Sequence, residues 1–147
     1  MPIAVRVRDV MTEGLISVEK TEPVIKAINL MVEKDIGAVV VTEKGKPVGI
    51  LTERDIMKKV CPKELCTRKV SVGEIMSQPL ITVDADAKLG EAASLMIEKG
   101  VRRLLVAEKG KIVGIVTQRD LMRGTLDTFV ALSMMSPPTN TLITKKS

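Results

Sequence analysis

The sequence predicts an α+β fold. Two β-α-β-β-α units pack through their sheets with pseudo-two-fold symmetry. Three observations carry that prediction. The chain of 147 residues repeats itself: with a shift of 65, Val7–Met57 falls on Val72–Met122 without a gap, and about 22 of roughly 51 positions are identical. Within each copy the apolar spacing alternates between strand and helix periods in the same order. Finally, a copy of roughly 55 residues is marginal alone and gains a full core only by packing on its twin.

The elements follow in order. LISV (Leu15–Val18) and its counterpart LITV (Leu80–Val83) are short β-branched runs that predict a strand. Glu22–Lys34 carries Val24, Ala27, Ile28 and Met31 on one face of a helix, and Leu89, Ala92, Ala93 and Met96 repeat the stripe. Ala38–Val41 and Leu104–Val106 read as buried strands. Glu-Lys-Gly-Lys then turns each chain back, because Gly tolerates positive φ, into Pro47–Leu51 and Ile112–Val116. A helix begins at Thr52 and again at Thr117. The domains are residues 7–60 and 72–125, joined by a linker at 61–71. A tail at 126–147 holds a short helix over Leu126–Met135, ended by Ser136-Pro137-Pro138, with Thr139–Ser147 expected to be mobile.

Composition excludes several functions. There is no His, Trp or Tyr, and Phe occurs once. The commonest general base and imidazole ligand are therefore missing, as is a platform for stacking single-stranded nucleic acid. No nucleophile–base pair is visible, so the reading is not an enzyme. The net charge of +5 is mild and dispersed, which disfavours nucleic acid as a partner. Cys61 and Cys66 are spaced too widely for a C-x-x-C site and read as reduced linker thiols, with a local disulfide or a metal shared across a dimer as alternatives. No apolar run reaches the roughly 18 residues of a membrane span, and no signal-peptide core opens the chain, so a cytoplasmic location is expected.

The most informative string is Gly49-Ile50-Leu51-Thr52-Glu53-Arg54-Asp55, recurring as Gly114-Ile115-Val116-Thr117-Gln118-Arg119-Asp120. Two readings fit it. Thr-x-x-Asp is close to a capping box, in which Thr caps the helix and the acid answers from its first turn. The same geometry points Asp55 and Asp120 at the mouth of the strand–helix junction, where a carboxylate can accept both hydroxyls of a ribose cis-diol. That carboxylate would repel a phosphate, so a nucleotide must send its phosphate elsewhere. Arg102-Arg103 is the candidate; strand alternation puts the two on opposite faces, and the first copy has Gly37-Ala38 there.

With G-h-h-T-x-R-D at both helix starts, V-R-D-V-M and V-G-E-I-M ahead of each copy, and the gapless repeat, the chain resembles a CBS domain pair, a stand-alone Bateman module, over about residues 7–125. The resemblance implies adenosyl ligands, most often AMP, ADP or ATP, held as regulatory ligands in two clefts between the copies, and no catalytic cofactor. It places Ile50, Thr52, Asp55, Val101, Arg102 and Arg103 in one cleft, and Ile36, Gly37, Ala38, Ile115, Thr117 and Asp120 in the other. It also implies a homodimer and a regulated protein partner. Only the first cleft combines the sugar pair with arginines, so the Asp55 cleft is expected to prefer a nucleotide over the Asp120 cleft. A ligand-independent dimerisation scaffold and a basic nucleic-acid-binding protein are the alternative functions.

Overall fold

A computed structural model describes residues 4–135. A 3-10 turn at Val7–Asp9 leads into β1 (Thr12–Glu13) and β2 (Ser17–Glu19), followed by helix α1 (Val24–Lys34). The helix begins two residues later than the apolar spacing suggested, because Pro23 supplies no N–H and disfavours helical backbone before it. β3 (Ala38–Glu43) and β4 (Lys46–Thr52) form a hairpin; Lys44 and Gly45 both take positive φ at its tip, the two-residue geometry that matches strand twist. α2 (Glu53–Asp55) continues into a π-helical stretch, Ile56–Val60. The second copy supplies α3 (Val72–Ile75), β5 (Thr82–Asp84), α4 (Leu89–Lys99), β6 (Arg103–Glu108), β7 (Lys111–Thr117) and α5 (Gln118–Ser133).

The expected mixed α+β fold of two repeats is present. One sheet has the order β2-β3-β4, the other β1-β7-β6-β5. β2 runs parallel to β3 and β5 parallel to β6, each connected through its helix. Val39, Val41 and Leu51 point to one core, where α1 lays Val24, Ala27 and Met31; Leu104, Val106 and Val116 point to the other, with Ala92 and Met96 of α4. Val40 and Leu105 alternate to the opposite faces and are also buried, outside both clusters. Each sheet is therefore covered on both sides, as expected where the two repeats pack sheet to sheet.

The segment leading each copy crosses to the other. Val7 is fully buried in the second core, while Val72 and Ile75 are buried in the first. The backbone bonds are matched: Val7 N–H donates to the Ala87 carbonyl and Arg8 N–H to that of Ala85, each at 2.9 Å, and Val72 and Gly73 do the same to Glu22 and Lys20 at 2.8 Å. β1 pairs with β7, and Ser77 bridges Ile50 of β4. The glycine opening each motif permits this. A Cβ on Gly114 would sit 2.5 Å from the Thr12 carbonyl oxygen, and one on Gly49 would sit 3.0 Å from that of Ser77.

One expected element is corrected. Leu126 begins no separate tail helix: α5 runs unbroken from Gln118 to Ser133. Gly124 does not stop it because the glycine is buried; its missing Cβ leaves the space that Val10 Cγ1 and Ala4 Cβ occupy. Thr128 Oγ1 also accepts from the Ala4 N–H at 3.0 Å, holding the leading segment along the helix. The predicted proline stop and the mobile tail lie outside the described residues. Among those described, no helix is long and apolar enough to cross a membrane.

Candidate functional site

Each repeat ends a strand at a threonine and starts a helix there, and both motifs form the reciprocal cap. Thr52 Oγ1 accepts from Asp55 N–H at 3.3 Å, while Thr52 N–H donates to Asp55 Oδ2 at 2.9 Å. In the second copy the distances are 3.1 and 2.9 Å for Thr117 and Asp120. Capping uses one carboxylate oxygen. The chemistry available at each motif then depends on what meets the other.

The two copies part here. Asp55 Oδ1 accepts from Ser77 Oγ at 2.7 Å and lies 3.1 Å from Lys59 Nζ; Oδ2 also accepts from Thr52 Oγ1 at 3.2 Å. A carboxylate offers about four acceptor positions, and all are taken. The Asp55 side chain is only 7% exposed. Burial pushes its carboxyl upward, but the hydrogen bonds from Ser77, Thr52 and Lys59 outweigh burial and hold it below the usual carboxylate range. Asp120 has neither added partner. Gly124 stands where the first copy has Lys59, and Thr12 where it has Ser77. Among the described residues, the cation paired with Asp120 Oδ1 is Arg123 Nη1 at 3.9 Å, beyond hydrogen-bond distance.

A cavity of about 590 Å³ opens at this second motif. All six residues expected there line it: Ile36, Gly37, Ala38, Ile115, Thr117 and Asp120. Arg103 lines it too, although the sequence reading grouped that arginine with Asp55. Its guanidinium lies over Gly37, where an added Cβ would meet Arg103 Nη2 at 3.3 Å and the Glu53 carboxylate. Burial pulls the Arg103 pKa below its ordinary value; Glu53 and Asp55 push it up and Arg102 pulls it down, all without a hydrogen bond. Arg102 is exposed, in keeping with alternation, and Val101 packs on the second core. Ile50 faces the leading segment of the second copy through its bridge to Ser77.

The remaining wall comes from Thr12 to Ile16, Lys34 and Val40, of which local periodicity does not single out Thr12, Glu13, Gly14 or Lys34. Thr12 and Glu13 arrive because β1 crosses to β7. The repeated V-x-x-V-M and V-x-x-I-M strings were the available signal for that crossing. A second cavity, of about 380 Å³, lies behind Asp120 against Asp9, Val10 and Asp127. Cys61 and Cys66 are exposed free thiols. Among the described residues, no group of acidic or thiol side chains could hold a metal.

A family model for the CBS domain matches residues 7–61 and 72–127. The chain belongs to the CBS domain family. It is 42% identical over 122 residues to an uncharacterized protein of Methanopyrus kandleri, covering 82% of this chain and 62% of that protein. Two relatives in Methanocaldococcus jannaschii match 80% of this chain each, which spans 31% and 60% of their lengths. Hypoxic response protein 1 of Mycobacterium tuberculosis is 35% identical over 117 residues, covering 79% of this chain and 82% of its own. Among solved structures, an uncharacterized conserved protein from Pyrococcus horikoshii superposes with a TM-score of 0.76 at 33% identity, over 95% of this chain and 99% of that one. A hexameric CBS-CP12 protein from bloom-forming cyanobacteria superposes with a TM-score of 0.74 at 27% identity, over 82% and 68%. CBS domain pairs are generally regulatory, ligand-binding modules, and the chain is read in those terms.

Proposed function

We propose that this CBS pair is a sensor of adenine nucleotides, with AMP the best-fitting ligand, bound in the Asp120 cleft. The observation that carries the reading is the contrast between the two carboxylates. Asp120 keeps acceptor positions open beside a cavity of about 590 Å³, within the range of small-molecule sites. A ribose cis-diol would donate to Asp120 while Thr117 holds that carboxylate in place. Ile36, Ala38 and Ile115 offer apolar surface to an adenine ring. Arg103 faces the same space beside Glu53 and, among the described residues, makes no side-chain hydrogen bond, which suits a phosphate. Lys34 at the rim adds a second positive charge. Two cations match one phosphate better than three.

This ordering is opposite to the one read from the sequence, which favoured the Asp55 cleft. Arg103 lines the Asp120 cavity but also lies within the fields of Glu53 and Asp55, so the preference for Asp120 rests on Asp55 being already satisfied by its own chain.

Two chains are proposed to associate. Met57 and Met122 occupy equivalent positions and are 62% and 66% exposed, and Leu126 and Phe129 extend the apolar surface along α5. A monomer mass in sedimentation velocity at micromolar concentration would count against it. Ligand choice is tested by thermal shift with AMP, ADP, ATP, S-adenosylmethionine and GTP. AMP at 100 times its Kd is expected to add about 2.7 kcal/mol, which is several degrees at this size. The absence of a shift with every adenosyl compound would support a ligand-independent scaffold instead.

A further inference from the structure

Two charged side chains meet over one glycine of the cleft wall. Gly37 lines the cavity at Asp120, and an added Cβ there would meet Arg103 Nη2 at 3.3 Å and run into a carboxylate oxygen of Glu53. The two heads come from different repeats: Arg103 opens β6, and Glu53 is the first residue of α2. The backbone brings Glu53 there, since its N–H donates to the Gly37 carbonyl at 3.0 Å. The missing side chain at Gly37 leaves the space its carboxylate occupies. Among the described residues, Glu53 and Arg103 share no hydrogen bond, yet the carboxylate raises the arginine's pKa more than Asp55 does, against the effect of burial. The second repeat has no such carboxylate. With the shift of 65, Glu53 falls on Gln118 and Gly37 on Arg102. Gln118 N–H makes the same bond, to the Arg102 carbonyl at 2.8 Å. An acid in a first helical turn is favourable in itself, but Gln118 shows that the helix starts here without one.

We propose that Glu53 sets how much negative charge the cleft accepts: its carboxylate competes with ligand phosphate for Arg103 and so ranks AMP ahead of ATP. The inference rests on the reading of the Asp120 cleft as an adenine-nucleotide site and names the residue that decides among its ligands. The cations lining the cavity are Arg103 and Lys34, and the carboxylates lining it are Glu13 and Asp120. Glu53 adds a third carboxylate, beside the arginine. One phosphate is matched by the two cations. Each further phosphate meets Glu53 with no added cation among the lining residues to offset it. Glu53 is exposed, so water and salt weaken this repulsion, which makes it measurable by its salt dependence.

The experiment is isothermal titration of adenosine, AMP and ATP, without divalent cation, into wild type, Glu53→Gln and Glu53→Ala, each checked for folding by circular dichroism. Gln is the residue at the twin position, and if one variant fails to fold the other carries the test. Wild type is expected to bind AMP more tightly than ATP. Both variants are expected to bind ATP about fivefold more tightly than wild type does, AMP about twofold more tightly, and adenosine unchanged. The gain for ATP should fall below about twofold in 1 M salt, where the screening length is about 3 Å. ATP binding more tightly than AMP in wild type, an equal change for all three ligands, or no change for any would overturn the proposal while leaving the nucleotide reading intact. If wild type and both variants bind none of the three, the nucleotide reading falls and the role of Glu53 falls with it.

Discussion

Asp55 and Asp120 share a backbone setting and differ in what their free oxygens meet. Asp55 is a structural carboxylate: Ser77, Thr52 and Lys59 hold its pKa below the usual range despite burial. A carboxyl depressed in the folded state contributes stability that is present above its unfolded value, near 3.9, and is lost as pH falls through the folded value. Asp55→Asn should therefore cost about 1–3 kcal/mol in urea unfolding at pH 7. The difference from wild type should begin to shrink as pH falls below the unfolded value near 3.9 and approach zero only once it has passed the lower folded value of Asp55. An undiminished difference in strong acid would mean that packing, not charge, holds Asp55. At this scale the sequence was half legible. The motif named both aspartates, but Lys59 and Gly124 lie two residues past the aligned repeat, which ends at Met57 and Met122. That Lys59 folds back onto Asp55 depends on a neighbour 16 residues away, Ile75, whose carbonyl fixes the ammonium; no local pattern contains it.

Among the elements, the strands and helices of each repeat were readable because their periodicities are strong and their turns are marked by Lys-Gly. β1 was not. Two exposed residues, Thr12 and Glu13, carry no pattern, and their strand state exists only because β7 offers its edge. The glycine of each motif turns out to serve that crossing. Gly114→Ala would place Cβ 2.5 Å from a backbone oxygen that cannot swing aside. We expect a loss of roughly 1–3 kcal/mol, together with faster amide exchange at Gly14, whose N–H donates to the Val113 carbonyl at 3.1 Å. Since β1 walls the proposed nucleotide cleft, AMP affinity should fall as well. Unchanged exchange at Gly14 would show that the strand is held by something else. The end of α5 misled the sequence reading for a related reason: Gly124 looks like a helix stop until Val10 and Ala4 are seen packing on it.

For the whole molecule, the two halves are interleaved rather than adjacent. Val7 completes the second core and Val72 and Ile75 the first, while Arg8 ties the first leading segment to Asp86 at 2.9 Å and to Glu108. A cleft between such halves has walls from both, so a ligand there reports on how they are joined. That is a physical basis for the proposed sensing role. The central claim is that Asp120, not Asp55, is the working sugar carboxylate. The most direct measurement is AMP affinity by isothermal titration of wild type against Asp120→Asn, which keeps an acceptor for the Thr117 cap. Hydrogen bonds to a charged group are worth about 1.5–3 kcal/mol. The account predicts at least a tenfold weakening with folding intact; wild-type affinity in folded Asp120→Asn would contradict it.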